Sequence, residues 1–281
     1  ETPIFIKYIE NYIIIAIPFW IRNIKDNAPF KDATSVYGYT GPLSKGIADD
    51  FDNVNFIDSL NRFFYENNII SVFSRLSPYI PNQSKILMNF GDTFPLGKVV
   101  NINLTLDKIV QKQNYQRRLK THINKSRKNC SVIKATSYEA IDKFIDIYNE
   151  NMNRVNAKKS YYFNKEYYYK LFESTDFETE ILLAMDNESK KIISGAMFLK
   201  KSSIVQYHLS GTKSDFLHLM PTKLLIDEMR INATDKGYEI FNLGGGLGAN
   251  EDNSLFRFKS SFSKEYHQFS IWKLIVKEDV Y

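Results

Sequence analysis

The sequence has one cysteine, Cys130, and no apolar run long enough to cross a membrane. A single cysteine excludes an intramolecular disulfide and a cysteine-rich zinc site, and it suits a reducing compartment. The longest apolar run, residues 13–20, contains Pro18 and falls well short of the roughly 20 residues that a spanning helix needs. We therefore expect a cytoplasmic protein, at most peripheral to the inner membrane. Because the chain begins at Glu1 rather than Met, we expect its natural N-terminus to be missing.

Acidic residues are absent from one long stretch. Between Lys108 and Tyr138 there are nine Lys or Arg and no Asp or Glu, which leaves 28 basic and 32 acidic residues elsewhere. The net charge of +5 is therefore local. Such a segment can attract a phosphate-bearing partner such as nucleic acid, coenzyme A or an anionic lipid. A solvated helix face is the alternative.

Two parts of the sequence echo each other. Residues 13–19 and 192–198 predict buried strands, and a similar signature follows each, Tyr37-Gly-Tyr-Thr-Gly and Tyr207-His-Leu-Ser-Gly. Each signature leads into an amphipathic helical pattern, and a further strand lies 34 residues after the tyrosine, at Ser71 and Phe241. The constant offset of 170 predicts a duplicated fold with the two tyrosines at equivalent strand positions.

Between these halves, the pattern predicts helices. The stretch 106–128 predicts one helix capped by Thr105 or Asp107, and 138–153 predicts another. Strands alternating with helices indicate a mixed α/β (α+β) fold with largely antiparallel sheets. We divide the chain into a domain at 1–106 and a domain at 107–281, entered through the basic helix 107–128.

A glycine-rich turn follows the apolar stretch 238–241. The run Asn242-Leu-Gly-Gly-Gly-Leu-Gly248 permits positive φ and close backbone approach, and Asn253 or Ser254 can cap the next helix. It lacks the ending of a P-loop and the spacing of a dinucleotide-binding loop. These residues alone leave open an anion site at a helix N-terminus and a tight turn without a ligand.

The residues after this turn carry a resemblance. Asp252, Ser254-Leu-Phe and Phe258-Lys-Ser-Ser-Phe262 resemble the C-terminal signature of the FemAB-like acetyltransferase family. Four upstream blocks are similar to the same family, in the same order: Tyr37-Gly-Tyr-Thr-Gly-Pro, Arg75-Leu-Ser-Pro, Met152-x-Arg154 with Ala157 and Tyr161-Tyr-Phe163, and Tyr207-His-Leu-Ser-Gly-Thr. Together the blocks cover nearly the whole chain.

The resemblance implies two tandem acetyltransferase-like (GNAT) domains with the acceptor bound at their junction. It also implies an acyl donor, acyl-CoA or aminoacyl-tRNA, and an acceptor amine on a lipid- or nucleotide-linked muropeptide. Phe258-Lys259 matches the family's catalytic dipeptide, whose Lys ammonium stabilises phosphate or developing negative charge. Arg154 matches an arginine that contacts the precursor's phosphates.

The chemistry of acyl transfer selects candidate residues. The reaction needs a neutral amine, a proton acceptor and donors for the tetrahedral oxyanion. His208 and Asp252 are candidate bases, and a hydrogen-bonded strand residue and a turn residue are the alternatives. For Lys259 the alternative is a solvent-facing helical lysine. No arrangement of serine, cysteine and histidine indicates a covalent triad, so direct attack by the acceptor amine is a simpler mechanism than an acyl-enzyme intermediate. No metal is predicted. The candidates for substrate binding are Arg154, Tyr37, Tyr207, Tyr161, Arg75, Gly244, Gly245 and Gly246.

Two departures from the family leave the donor open. The chain has no insertion long enough for the helical hairpin that some staphylococcal members carry. The phosphate-cradling pattern of ordinary acetyltransferases is also absent between Ser210 and Leu224, where the loop offers Lys213 and His218 instead of glycines.

These features lead to one main functional hypothesis. We expect an N-acyltransferase that acylates an amine of a sugar-nucleotide, lipid-linked saccharide or muropeptide during envelope or surface-polysaccharide assembly. The alternative is a non-catalytic module that binds RNA or an anionic surface through residues 108–138.

Overall fold

The computed structural model describes residues 1–24 and 29–281. They form two compact units, one of Glu1–Lys98 with His267–Tyr281 and one of Val99–Tyr266. The division drawn from the sequence assigned the whole of 107–281 to the second domain, whereas the last residues of the chain belong to the first unit.

The first unit contains five strands and two helices that lie wholly within it, among the residues described. They are β1 (Thr2–Glu10), β2 (Ile13–Asn23), β3 (Lys31–Thr34), β4 (Leu43–Lys45), α1 (Val54–Glu66), β5 (Ile69–Arg75) and α2 (Gln83–Ile86). Strand β6 (Asp92–Asn103) begins in this unit, and β12 (Glu265–Ile275) ends in it.

The sheet of the first unit is mixed. Its order is β1-β2-β3-β5-β12, with β4 paired to β2. Among its described residues, β3 and β5 form the parallel pair, and the other strand pairs of this sheet are antiparallel. The buried face of α1, formed by Phe56, Leu60 and Phe64, packs in one cluster with alternate residues of β2. This side of the sheet is the core of the unit.

The second unit continues from β6. Its elements are α3 (Lys108–Gln113), α4 (Arg117–Asn129), β7 (Cys130–Lys134), α5 (Tyr138–Arg154), α6 (Lys165–Glu173), β8 (Glu178–Asp186), β9 (Ile192–Lys201), β10 (Ile204–Thr212), α7 (Pro221–Asp235), β11 (Ile240–Gly244) and α8 (Ser254–Lys259). Short 3-10 helices lie at Lys159–Tyr161, Ser214–Leu219 and Leu247–Ala249.

The sheet of the second unit has a core on each face. Its order is β6-β11-β10-β9-β8-β7, and β10 and β11 are its parallel pair. Because successive strand residues point to opposite faces, Leu182 packs with α4 and α7 while Ile181 packs with α5 and α6. Among residues 1–24 and 29–281, no helix combines the length and the apolar character that crossing a bilayer requires.

The echo in the sequence corresponds to two similar crossovers. In the first unit β3, α1 and β5 form a parallel strand–helix–strand unit, and in the second β10, α7 and β11 form another. Ser71 and Phe241 lie in the closing strands, as predicted. The predicted equivalence of the tyrosines is wrong, because Tyr207 lies within β10 whereas Tyr37 lies in a bend beyond β3.

The predicted helix over 106–128 is two helices. Asp107 caps α3 by accepting from the Ile109 amide at 2.7 Å, but the helix ends before Tyr115. Tyr115 is buried and donates to Asp227 Oδ1 at 3.0 Å, and the Gln116 amide donates to the Ser261 carbonyl. These tertiary contacts turn the chain where no Pro or Gly marks a break. The prediction for 138–153 is confirmed by α5.

Candidate active site

The helix that carries Lys259 has a fixed start. Asn253 caps α8, because its side-chain oxygen accepts from the Phe256 amide at 2.8 Å. Its side-chain nitrogen donates to the carbonyls of Leu247 and Asn250, at 3.0 and 2.8 Å. One predicted cap residue thus holds the glycine loop and the helix together.

Lys259 is buried rather than solvent-facing. The residue is only 9% exposed, and its Nζ donates to the Gly245 carbonyl at 2.8 Å. Burial lowers the pKa of its ammonium from 10.5 to about 8. At neutral pH the group is therefore mostly charged, yet its proton leaves more easily than that of an exposed lysine.

The glycine loop is shaped to let this ammonium approach. Gly244 closes β11 with φ +78°, and a Cβ there would lie 3.1 Å from Lys259 Nζ. At Gly246 a Cβ would lie 2.3 Å from the Asn250 carbonyl oxygen. Side chains at either position would disturb the loop, so packing requires these glycines whether or not they contact a substrate.

A row of carboxamides lies beside the loop. Gln206, Asn242 and Asn101 occupy one register on three neighbouring strands, and the last two are buried. Asn242 donates to Gln206 Oε1 at 2.6 Å and accepts from the Gly244 amide at 2.7 Å. The row therefore fixes the end of β11 from which the glycine loop departs.

Sequence reasoning missed this row, although a signal for it exists. Each carboxamide interrupts an apolar strand, as in Val100-Asn101-Ile102, Val205-Gln206-Tyr207 and Phe241-Asn242-Leu243. The apolar neighbours belong to the core beneath α4 and α7. By alternation the three amides lie on the opposite face of the sheet.

Tyr207 and His208 are adjacent but differently placed. Tyr207 is buried in the core beneath α7, where burial raises its pKa to about 12, and its hydroxyl is hydrogen-bonded to Ser210. His208 lies at a register shift in β10, with Nε2 2.7 Å from the Tyr167 hydroxyl. Burial lowers the pKa of His208 to about 4, which leaves a neutral imidazole and a weak base.

We expect His208 to make the protein sensitive to mild acid. As the pH falls from 6.5 towards 4, an unfolded chain binds a proton that the folded imidazole does not, so the folded state loses stability. The loss approaches about 3 kcal/mol and is smaller where solvent screens the ring. Urea unfolding at pH 7 and pH 5 checks this. His208→Gln should lose less stability between those pH values than the wild type, and equal losses would contradict the assignment.

The remaining candidates of the second unit lie at several places. Phe258 is half-buried and packs edge-on against Phe262. Asp252 is exposed, and its amide donates to Asn250 Oδ1. Arg154 is exposed at the end of α5, where it donates to Asn151. Tyr161 is half-buried, and its carbonyl accepts from the Tyr148 hydroxyl at 2.9 Å. The structure thus brings Lys259 and the glycine loop into contact. The contacts described for Phe258, Asp252, Arg154 and Tyr161 are with other residues.

Two candidates belong to the first unit. Tyr37 is 78% exposed, and Arg75 is exposed at the end of β5. The backbone of Arg75 is held by the Ser35 and Thr40 side chains. Substrate contact by either residue stays a prediction. In the part of the chain that the structure describes, no group of three or more His, Cys, Asp or Glu is placed to hold a metal ion.

Comparisons with known proteins place these features in a family context. The model of the FemAB family matches residues 178–269, from the start of β8 into β12, and this range includes Lys259. No curated protein sequence matches the chain.

Solved structures show the fold. FemX has a TM-score of 0.67 at 11% identity, over 95% of this chain and 88% of FemX. The C-terminal domain of a putative lysylphosphatidylglycerol synthetase from Agrobacterium fabrum has a TM-score of 0.60 at 13% identity, over 92% of this chain and 80% of that domain. A tandem GNAT protein from the clavulanic acid biosynthesis pathway has a TM-score of 0.51 at 8% identity, over 95% of this chain and 80% of that protein. The expected FemAB-like, GNAT-type fold is confirmed.

Proposed function

We propose that this FemAB-like protein is an N-acyltransferase that places an acyl or aminoacyl group on an amine of a cell-envelope precursor. The match to the FemAB family and the tandem GNAT fold support an acyltransferase. The name of one structural neighbour, a putative lysylphosphatidylglycerol synthetase, describes an aminoacylated lipid as its product. That name supports an aminoacyl donor and an envelope product for this chain as well.

The observation that carries the proposal is the buried ammonium of Lys259. It lies in the segment matched by the family, next to a glycine loop whose Gly245 carbonyl accepts from Nζ and whose Gly244 has no side chain to displace it. A desolvated cation stabilises negative charge far better than an exposed one, because water does not screen it. The arrangement therefore suits a reaction that develops an oxyanion or an anionic leaving group.

The bonds and protons of the transfer can be accounted for without a covalent enzyme intermediate. The neutral amine attacks the acyl carbonyl carbon, a C–N bond forms, and the C–O bond of an ester or the C–S bond of a thioester breaks. The amine loses one proton, and the leaving oxygen or sulfur gains one. With a pKa of about 8, Lys259 can stabilise the oxyanion and supply a proton to the leaving group.

The nucleophile candidates of the protein support direct attack. Cys130 is buried at the start of β7, and burial raises the pKa of its thiol, which disfavours the reactive thiolate. His208 is hydrogen-bonded to Tyr167 rather than to a serine or cysteine. We therefore assign the acceptor amine as the attacking group.

The finer identity of the substrates belongs to the proposal. We propose acyl-CoA or aminoacyl-tRNA as donor and a sugar-nucleotide, lipid-linked saccharide or muropeptide as acceptor, used on the cytoplasmic side of the membrane. Within the site, Arg154, Tyr161 and the glycine loop would contact the acceptor or donor. The two compact units, Glu1–Lys98 with His267–Tyr281 and Val99–Tyr266, would each be one acetyltransferase-like half.

A transfer assay tests the proposal. The protein is incubated with an acyl-CoA or an aminoacyl-tRNA and with amine acceptors of the three classes, and new amides are detected by mass spectrometry. We expect an amide with one donor class, at a rate well above that of the same mixture without protein. Absence of amide with every pair of donor and acceptor would contradict an acyltransferase and favour a binding module on residues 108–138.

A further inference from the structure

Helix α4 carries charge of one sign. Its 13 residues, Arg117–Asn129, include six Lys or Arg and no acidic residue. Arg127 is neutralised, because it pairs with Asp227 and Glu228 of α7. Within the described residues, no ion pair joins the other five basic side chains of α4 to a carboxylate. Most of this positive charge is therefore uncompensated.

Part of this charge converges with α7. Lys223 Nζ lies 2.7 Å from His122 Nδ1, so a lysine of α7 is held against a histidine of α4. Arg118 and Lys125 lie one turn before and one turn after His122 on the same helix face. Lys125 Nζ also donates to the His218 carbonyl at 3.2 Å. We name Arg118, His122, Lys125 and Lys223 the α4 basic cluster.

The cluster is held at an energetic cost. Partial burial and the charge of Arg118 lower the pKa of Lys223. Burial and the charges of Lys223, Arg118 and Lys125 lower the pKa of His122. No carboxylate contributes to either effect. A merely solvated helix face would let these long side chains spread apart, whereas here an ammonium is kept partly buried beside an imidazole.

An anion would remove this cost. A phosphate group carries up to two negative charges and several acceptor oxygens, and it can accept from an ammonium, a guanidinium and an imidazole together. A single carboxylate carries one charge, whereas a diphosphate or two neighbouring phosphodiesters present two or more, so a carboxylate would compensate the cluster less well. The further exposed basic residues of α4, including Arg117 and Lys128, extend the positive surface beyond the cluster.

We propose that the α4 basic cluster binds a phosphate ester group of the acyl donor. This inference rests on the proposed function, since it assigns a site to one of that reaction's substrates. The shared chemistry is a phosphate ester: acyl-CoA carries a diphosphate and a phosphomonoester, and aminoacyl-tRNA carries a chain of phosphodiesters. Lys259 would act on the reacting atoms, and the cluster would hold the non-reacting part of the donor.

The inference is tested by binding, not by turnover. The probes are coenzyme A, deacylated tRNA and inorganic pyrophosphate, titrated into the wild type, an Arg118→Gln/Lys125→Gln/Lys223→Gln variant and a control. The control, Lys7→Gln/Lys45→Gln/Lys191→Gln, removes three exposed positive charges elsewhere. We expect the cluster variant to bind its probe roughly tenfold or more weakly, because each charged hydrogen bond lost has an effect of about that size. The control should bind as the wild type does.

The source of the phosphate follows from which probe responds. If tRNA is the ligand, its affinity should fall steeply with salt, and the cluster variant should lower that log–log slope by about two to three. If coenzyme A is the ligand, the cluster variant should bind it more weakly, and its affinity should fall less steeply with salt than that of tRNA would. The inference would be overturned if the wild type bound neither tRNA nor coenzyme A. Equal binding by the cluster variant and the control would also overturn it. Because no transfer is measured, these outcomes are independent of a failure in the transfer assay.

Folding controls keep the test decisive. Arg118 and Lys125 are exposed, and Lys223 is held among like charges, so the cluster variant should melt at the wild-type temperature or higher. Lys223→Gln alone should show the same trend with a smaller loss of binding. A variant that loses stability together with binding would assign the cluster to the fold and overturn the inference.

Discussion

Replacement of Lys259 by Met should lower the transfer rate by about two to three orders of magnitude, the effect of losing one donor to a developing oxyanion. Met keeps most of the volume and apolar contact of the side chain but removes the ammonium that the Gly245 carbonyl holds. The rate is measured in a single turnover with saturating donor and acceptor. A Met variant with wild-type turnover would show that Lys259 has no part in catalysis.

The stability of the same variant separates catalysis from folding. A folded-state pKa near 8, below the ordinary 10.5, means that burying the charged amine costs stability below pH 8. This cost is relieved as the pH rises from 8 to 10.5, and it amounts to roughly 3 kcal/mol. Lys259→Met should therefore be as stable as the wild type at pH 7, or more so, and should lack the gain above pH 8. A Met variant that is unfolded at pH 7 would contradict this.

Lys259→Arg shows which property of the ammonium matters. Arg keeps the charge at every accessible pH but replaces a compact donor by a broad planar group. The glycine loop lies close to Nζ, which is 2.8 Å from the Gly245 carbonyl oxygen and 3.1 Å from where a Cβ at Gly244 would lie. We therefore expect the Arg variant to be nearly as impaired as the Met variant. Substantial activity would show that charge alone is sufficient.

Gly244→Ala should lower the transfer rate by up to about tenfold, although it removes no candidate catalytic side chain. The added methyl would lie 3.1 Å from Lys259 Nζ, so the ammonium has to shift by a few tenths of an ångström. Because a misplacement of about 1 Å at a reacting centre can cost about a hundredfold, this smaller shift should cost about tenfold or less. The rate is compared with the wild type at equal folded concentration.

Gly237→Ala is the matched control for this change. Gly237 and Gly244 have the same φ of +78°, but a Cβ at Gly237 would meet nothing within 4 Å. Both variants should lose about 1–2 kcal/mol of stability, the cost of an alanine in the left-handed region. Only Gly244→Ala should lose activity. Equal transfer rates in the two variants would contradict the placement of Lys259 at the reaction.

Elements with a strong local signal were predictable from the sequence. The apolar runs at 13–19 and 192–198 are strands, the periodic stretch from Tyr138 is a helix, and Asn253 is a cap. In each case local propensity and tertiary packing favour the same structure. The resemblance added the FemAB-like fold, which no single block of residues specifies.

Features that depend on tertiary contacts were not predictable. Tyr115 ends α3 because its hydroxyl bonds a buried aspartate, and sequence periodicity does not report such a contact. The burial of Lys259 depends on the loop around Gly245, so the pattern alone left a solvent-facing lysine open. The residues around Tyr37 resemble those around Tyr207, but Tyr37 does not lie in a strand, because β3 ends at Thr34.

The pH dependence of the single-turnover rate measures directly whether the Lys259 ammonium takes part in transfer. In the wild type we expect the rate to fall above a pKa of about 8 as the ammonium loses its proton. The acceptor amine titrates as well, so the wild type is compared with Lys259→Met on the same substrates. A falling limb near pH 8 that is present in the wild type and absent from the Met variant is the predicted result. The same limb in both proteins, or a wild-type rate that stays constant from pH 7 to pH 10, would contradict a catalytic Lys259.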